Sequence, residues 1–248
     1  MKKTLLIAAA ALAAGIISTQ ASSVYSQNIV GYANVPTTVG GADYLISVPF
    51  VVGVSNGANE VFGTSLQGAL DFTEILIWSP TAASYTLYQS DDGSSTGWDD
   101  YNFNPVPAPV LPVGQGFFLI PAAGGLTNTF TGSVAINSGT TNTVTLPVGG
   151  ADYLVGSTVP YAGSITNNPG LNLNSLDTVG GVVGAGDFTQ VLIWDPVAAN
   201  FTLIQTDSGS TTGWDDYNFN PITPPSLKVG DGIFIVPSTA NVNWIQSL

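Results

Sequence analysis

The sequence predicts an all-β protein of two tandem, duplicated units, each a β-sandwich or small β-barrel, behind a cleaved signal peptide. Three observations carry this prediction. Residues 96–105, Thr-Gly-Trp-Asp-Asp-Tyr-Asn-Phe-Asn-Pro, recur unchanged at 212–221. An identity of that length holding Trp, Tyr and Phe marks an internal repeat. The apolar runs are short and dominated by β-branched and aromatic residues, as strands are. Gly-Gly, Asp-Gly, Ser-Pro and Asn-Pro steps fall between them and punctuate turns.

The elements follow in chain order. Lys2 and Lys3 form a basic start, residues 5–17 an apolar stretch, and Thr19-Gln20-Ala21 a small-residue cleavage site. Residues 1–21 therefore read as a secretory signal, its apolar stretch too short for a membrane-spanning helix, which needs about 20 apolar residues. The first unit is expected over 22–134, with strands at 28–35, 44–48, 75–78, 84–89, 116–120 and 126–134. The second is expected over 135–248, with strands at 142–146, 153–156, 191–194, 200–205, 232–236 and 242–246. One helical turn is expected within each of 61–70 and 171–179. The motif Val39-Gly-Gly-Ala-Asp-Tyr-Leu45 returns at 148–154, and Asp71-Phe-Thr-Glu-Ile-Leu-Ile-Trp-Ser-Pro80 has its counterpart at 187–196. The offset lengthens between Leu154 and Asp187, so the second unit carries a longer Gly-, Asn-, Ser- and Thr-rich segment there. Insertions settle in surface loops, where closing a longer loop costs little. The N-terminal stretch 22–35 is β-prone and can pair in cis or with a neighbour's sheet edge.

Residues 26–35, Ser-Gln-Asn-Ile-Val-Gly-Tyr-Ala-Asn-Val, then Val113-Gly-Gln-Gly-Phe-Phe118 and Thr129-Phe-Thr-Gly-Ser-Val134, resemble an abundant set of secreted β-rich proteins of verrucomicrobial and related bacteria. That family has no established activity. The resemblance implies secretion and β-structure, and this chain departs from the family in its near-exact duplication.

Charge excludes much. The chain has 16 acidic and 3 basic residues, with no His and no Cys. Past the signal only Lys228 is basic. Nucleic acid and anionic membrane surfaces need Lys and Arg, so neither is an expected partner. His-based triads, His-ligated metals and thiol nucleophiles are ruled out by composition. Other protein subunits, copies of the chain itself, neutral glycans and cations remain. No further stretch is long and apolar enough to span a membrane as a helix.

Two sets of residues are candidate sites. Asp91, Asp92, Asp99 and Asp100, and in the second copy Asp207, Asp215 and Asp216, lie in oxygen-rich, Gly-containing loops of the kind Ca²⁺ prefers. No Glu closes an EF-hand loop, and Asp, Gly and Ser in succession also make ordinary hairpin turns. The second set comes from alternation along an extended strand, which would put Trp98, Asp100 and Asn102 on one face and Tyr101 and Phe103 on the other. Trp98, Asp100 and Asn102, with Trp214, Asp216 and Asn218, would then suit a sugar, the ring stacking and the polar groups taking hydroxyls. The alternative is that both Trp rings pack in the domains.

No catalytic set is expected. Asp99 and Asp100 are adjacent and point to opposite faces of a strand, so they cannot flank one glycosidic bond. Glu60 and Glu74 are the only Glu residues, and Gln190 replaces Glu74 in the second copy. Gly114-Gln-Gly116 and Gly230-Asp-Gly232 enter strands and read as turns. The expectation is a secreted, non-catalytic structural or cell-surface protein (extracellular or periplasmic) acting through protein contacts, including self-assembly. The alternative is a glycan-binding module, with or without Ca²⁺.

Overall fold

The structure is a computed structural model that describes residues 30–63, 66, 71–136 and 139–248. The expected signal peptide, residues 22–29 of the N-terminal stretch and most of 64–70 lie outside the described residues. The fold is all-β. In the first half, β1 (Val30–Thr37), β2 (Tyr44–Ser47), β3 (Glu74–Ser79), β4 (Ser84–Ser90), β5 (Trp98–Asp99), β6 (Gly116–Ile120) and β7 (Leu126–Ser133) follow in order. In the second come β8 (Thr141–Leu146), β9 (Tyr153–Gly156), β10 (Gly163–Ser164), β11 (Thr178–Val179), β12 (Val182–Val183), β13 (Gln190–Asp195), β14 (Asn200–Thr206), β15 (Trp214–Asp216), β16 (Ser226–Leu227), β17 (Gly232–Val236) and β18 (Val242–Ser247).

Among the described residues each half holds one five-stranded antiparallel sheet and a two-stranded ribbon, and the second half adds the short pairs β10-β16 and β11-β12. The sheets run β2-β6-β3-β4-β5 and β9-β17-β13-β14-β15, the same order in equivalent strands. The ribbons are β1-β7 and β8-β18. The ribbon lies over one face of its sheet. Ala33, Val35 and Phe130 of the first ribbon share a buried cluster with Tyr44, Ile46, Ile75, Phe117 and Leu119 of the sheet. Leu146, Val242 and Trp244 do the same in the second half with Val155, Val191, Ile204, Ile233 and Ile235.

The N-terminal strand is paired in cis. Every residue of β1 from Val30 to Thr37 is in register with β7, Ser133 to Leu126.

A short helix, α1 (Ala58–Phe62), crosses the end of the first core, and a 3₁₀ turn, η1 (Leu173–Asp177), takes that place in the second. Glu60 starts α1: its carboxylate accepts the N–H groups of Val54, Ser55 and Gly57 at 2.8–3.1 Å. Those donors hold its carboxyl down at about 2.

The other face of each sheet meets its counterpart. All four residues of β2 are buried, because Tyr44 and Ile46 point into their own core while Leu45 points at the second half. Phe118 does likewise between Phe117 and Leu119 of β6. Leu45, Phe118, Leu154 and Phe234 form one cluster, rimmed by Trp78 and Trp194. The contacts are reciprocal. Trp78 Nε1 donates to the Asp152 carbonyl at 2.7 Å and Trp194 Nε1 to the Asp43 carbonyl at 2.6 Å. Trp78 meets Phe234 edge-on at 6.0 Å between ring centroids, and Trp194 meets Phe118 at 5.6 Å. Ser47 N–H donates to Gly230 O at 2.8 Å and Gly156 N–H to Gly114 O at 3.0 Å.

The halves differ where this near-symmetry brings like residues together. Gly156 occupies the position equivalent to Ser47, and the two face each other. A Cβ on Gly156 would lie 2.0 Å from Ser47 Cβ. Two side chains cannot share that space, so one copy carries Ser and the other Gly.

Candidate functional site

The repeated block folds as a short strand and a tight turn. The strand segment ends at Asp99 in the first half, and residues 100–104 turn back, with Asp100 N–H donating to Asn104 O. The period-two alternation expected through Phe103 therefore stops, and the faces are redistributed.

Trp98 and Trp214 are 1% and 0% exposed. They belong to the two cores, and each indole N–H is satisfied internally. Trp98 Nε1 donates to Asn59 Oδ1 of α1 and Trp214 Nε1 to Asn174 Oδ1 of η1, both at 2.8 Å. The expected sugar platform on these rings is thus corrected: neither ring is available to stack. Asp100 and Asp216 are also committed. Asp100 Oδ1 accepts the N–H groups of Asn102 and Asn104 at 2.8 and 2.9 Å, and Asn104 Nδ2 reaches both carboxylate oxygens. Asp216 does the same with Asn218 and Asn220. These bonds hold both carboxyls below the usual carboxylate range, the Asn104 backbone leading for Asp100 and the Asn220 side chain for Asp216. Asn102 and Asn218 stay on the surface.

What the turns do expose is the other pair of rings. Tyr101 and Phe103 are 79% and 64% exposed, Tyr217 and Phe219 70% and 62%. Phe103 and Phe219 both sit at φ 59°, and Phe72 and Phe188, also exposed, at φ 66°. A bulky L-residue in the left-handed region costs about 1–3 kcal/mol and persists only where its surroundings hold it. Here Phe188 N–H donates to Thr206 O at 2.7 Å and Phe219 N–H to Asp216 O at 3.1 Å. The rings of Phe188 and Phe219 meet edge-on at 5.9 Å. Aromatic residues were visible in the sequence, but only the turn decides which of them face out.

The acidic residues divide differently from the expectation. Asp99 and Asp215 are buried on their strands, and each leaves Oδ1 without a hydrogen-bond partner. With Asp100 just past β5 and Asp216 ending β15, each bonded to its own turn, the expected cation sets do not come together. Asp91 and Asp92 instead meet Asp71, carboxylate oxygens of all three lying within 4.8 Å. Asp92 N–H donates to Asp71 Oδ1 at 3.0 Å, and Gly93 N–H caps Asp91 Oδ1 at 2.7 Å. A hydrogen bond to the Asp71 carboxyl, then its charge, pushes the Asp92 carboxyl up. Asp71 was not singled out from the sequence, because only folding brings it to this corner.

At the equivalent corner of the second half Ser208 replaces Asp92, and its N–H and Oγ both donate to Asp187 at 2.8 and 2.7 Å. A carboxylate returns from the lengthened segment. Burial first, then a hydrogen bond to Asp187 and its charge, raises the Asp177 carboxyl to about 7. Burial works against the Asp187 charge, but bonds from Asp177 and Ser208 hold its carboxyl low. Beside this pair lies a cleft of about 530 Å³ lined by Asn172, Ser175, Asp177, Thr206 and Thr212 among others.

One further feature is shared by both halves. β4 pairs with β3 along its length, but β5 reaches only Gln89 and Ser90. Ser90 N–H donates to Thr73 O, toward the β3 side. Antiparallel alternation then directs the N–H and C=O groups of Tyr85 and Leu87 away from β3. In the second half β15 reaches only Ile204 to Thr206, and Thr206 N–H donates to Thr189 O, so Phe201 and Leu203 are equivalent. Both open stretches, 84–88 and 200–203, lack Lys, Pro and any charge. Among the described residues no helix is long and apolar enough to cross a membrane. No protein-family model, no curated protein and no solved structure matches the chain.

Proposed function

We propose that this is a secreted, non-catalytic structural or cell-surface protein that works through protein contacts, its own copies being the first partner. The observation that carries the reading is the pair of equivalent open edges on β4 and β14. An unpaired edge is a template for another strand, and proteins that remain single blunt it with Lys, Pro or a bulge. Neither edge here has such a residue. A second copy offers a matching row of donors and acceptors.

The contact is expected to be weak per edge. Two residues supply about four backbone hydrogen bonds at about 1 kcal/mol net each, against the cost of association. Two edges per chain let copies join into longer arrays, so assembly should rise steeply with concentration. The acidic surface opposes approach, and salt screens that repulsion beyond about 10 Å at 0.1 M.

Light scattering of the mature chain across protein and salt concentration tests this. Assembly should grow in both directions, and Thr86→Lys with Thr202→Lys should abolish it. Both positions are exposed, and both changes lower the net negative charge, which alone would favour assembly. A monomer under every condition, or a double variant that assembles undiminished, rejects the edge contact.

A further inference from the structure

We propose that the two turn tips, Tyr101-Asn102-Phe103 and Tyr217-Asn218-Phe219, are equivalent stacking sites for a neutral polysaccharide. This goes beyond self-association, and it uses none of the edge residues.

The first support is that the rings are held outward against a backbone preference. Phe219 and Phe188 both occupy left-handed backbone, and in that conformation their rings meet at 5.9 Å beside an exposed Tyr217. Phe103, Phe72 and Tyr101 repeat the conformations and the exposure. A core aromatic gains from burial and needs no such backbone. An exposed one held in strain is the pattern of a ligand clamp.

The second support is the chemistry around the rings. A sugar ring presents an apolar face to an aromatic ring and hydroxyls at its edge. The Asn102 and Asn218 carboxamides, exposed on the same turns, offer a donor and an acceptor for such hydroxyls.

Charge then selects among ligands. No basic residue other than Lys228 follows the signal, so nothing at these tips neutralises an anionic polymer. A basic peptide is the competing occupant, given the acidic surface. The carboxylates next to these rings in sequence already accept bonds: Asp100 from Asn102 and Asn104, Asp216 from Asn218 and Asn220, Asp71 from the Asp92 N–H and Asp187 from Ser208. A neutral chain of sugars needs no carboxylate. Two sites on one chain also suit a long repetitive polymer, where binding at one tip raises the local concentration for the other.

Affinity electrophoresis in gels containing hydroxyethylcellulose, laminarin or yeast mannan reads the binding directly. At least one polymer should retard the mature chain, little changed by about 0.5 M NaCl, at which charge contacts are screened. Tyr101→Ser, Phe103→Asn, Tyr217→Ser and Phe219→Asn together should remove retardation; Asn tolerates the left-handed backbone, so the fold is kept, as circular dichroism would verify. Variants of one tip alone should weaken apparent binding about tenfold or more, because the second tip then acts without its partner. Thr86→Lys with Thr202→Lys should leave retardation intact, which separates this site from the edge contact. Absence of retardation in all three gels overturns the proposal. So does retention by the four-residue variant, or salt-sensitive binding to oligolysine in place of the sugars.

Discussion

The two halves solve one problem with different parts. Each buries a Trp whose indole N–H must find an acceptor. In the first half Asn59 supplies it from an α-helix, and in the second Asn174 supplies it from a 3₁₀ turn in the lengthened segment. The bond length is the same. The secondary structure around it is free to change, because an unsatisfied buried donor costs more than a change of helix type. The acidic corner teaches the same lesson: Asp92 is lost to Ser208, and Asp177 arrives from elsewhere in the chain.

The largest effect that would break this equivalence is loss of the indole itself. Trp98→Ala and Trp214→Ala should each cost about 3–5 kcal/mol in denaturant unfolding, as large-to-small core changes do. A cost below about 1 kcal/mol in either half would mean that the rings are not equivalent core elements. Next comes the contact between halves. Gly156→Ser restores the first-half residue and forces an overlap, which should cost about 1–3 kcal/mol. Adding Ser47→Gly should recover most of that loss, and a double variant no better than Gly156→Ser would show that the two positions do not compete for space. Asn59→Ala and Asn174→Ala should each cost about 1–3 kcal/mol, by leaving a buried indole N–H unpaired. Unequal costs would expose a hidden difference between the helix and the 3₁₀ turn.

The fourth prediction separates the corners by pH. Asp177 is raised from 3.8 to about 7 in the folded state, so that state holds a proton the unfolded chain has released. Stability from this group is complete below the ordinary carboxylate range and declines as pH rises through about 7. Asp187 is lowered and acts oppositely, losing its contribution as pH falls. Melting temperature should therefore drop between about pH 4 and pH 7, and Asp177→Asn should flatten that window. An unchanged slope in the variant would assign the decline to other groups. The smallest effect is Asp92→Ser, which copies the second half's corner. It relieves repulsion from Asp71 and Asp91, so a slight rise in melting temperature at low salt should vanish at about 0.5 M NaCl. Ca²⁺ stabilisation of the parent chain beyond matched ionic strength, lost in Asp92→Ser, would instead mark the corner as a cation site.

Much of the fold was legible because strands buried on both faces read as unbroken apolar runs. Phe117, Phe118 and Leu119 announce a strand before any partner is known. The turn at 100–104 was not, since it rests on Asp100 bonding forward to Asn102 and Asn104. An adjacent Asp pair gives no sign of that in composition, and the strand rule then misassigned every ring after it. Buried Trp98 and exposed Tyr101 exchange roles because residues 100–104 turn where an extended chain was expected. Nor could spacing show Asp71 beside Asp92, a contact made only when β3 and β4 pair.

The reciprocal latch between the halves has a use in protein engineering. Severed at the connection between β7 and β8, the fragments would still present each other with a complete set of contacts, each lending a carbonyl to the other's indole. The chain is thus a candidate for fragment complementation. The pairing would also have a built-in preference, since Ser47 fits against Gly156 but not against a second Ser47. A first-half fragment would choose the second half over its own kind.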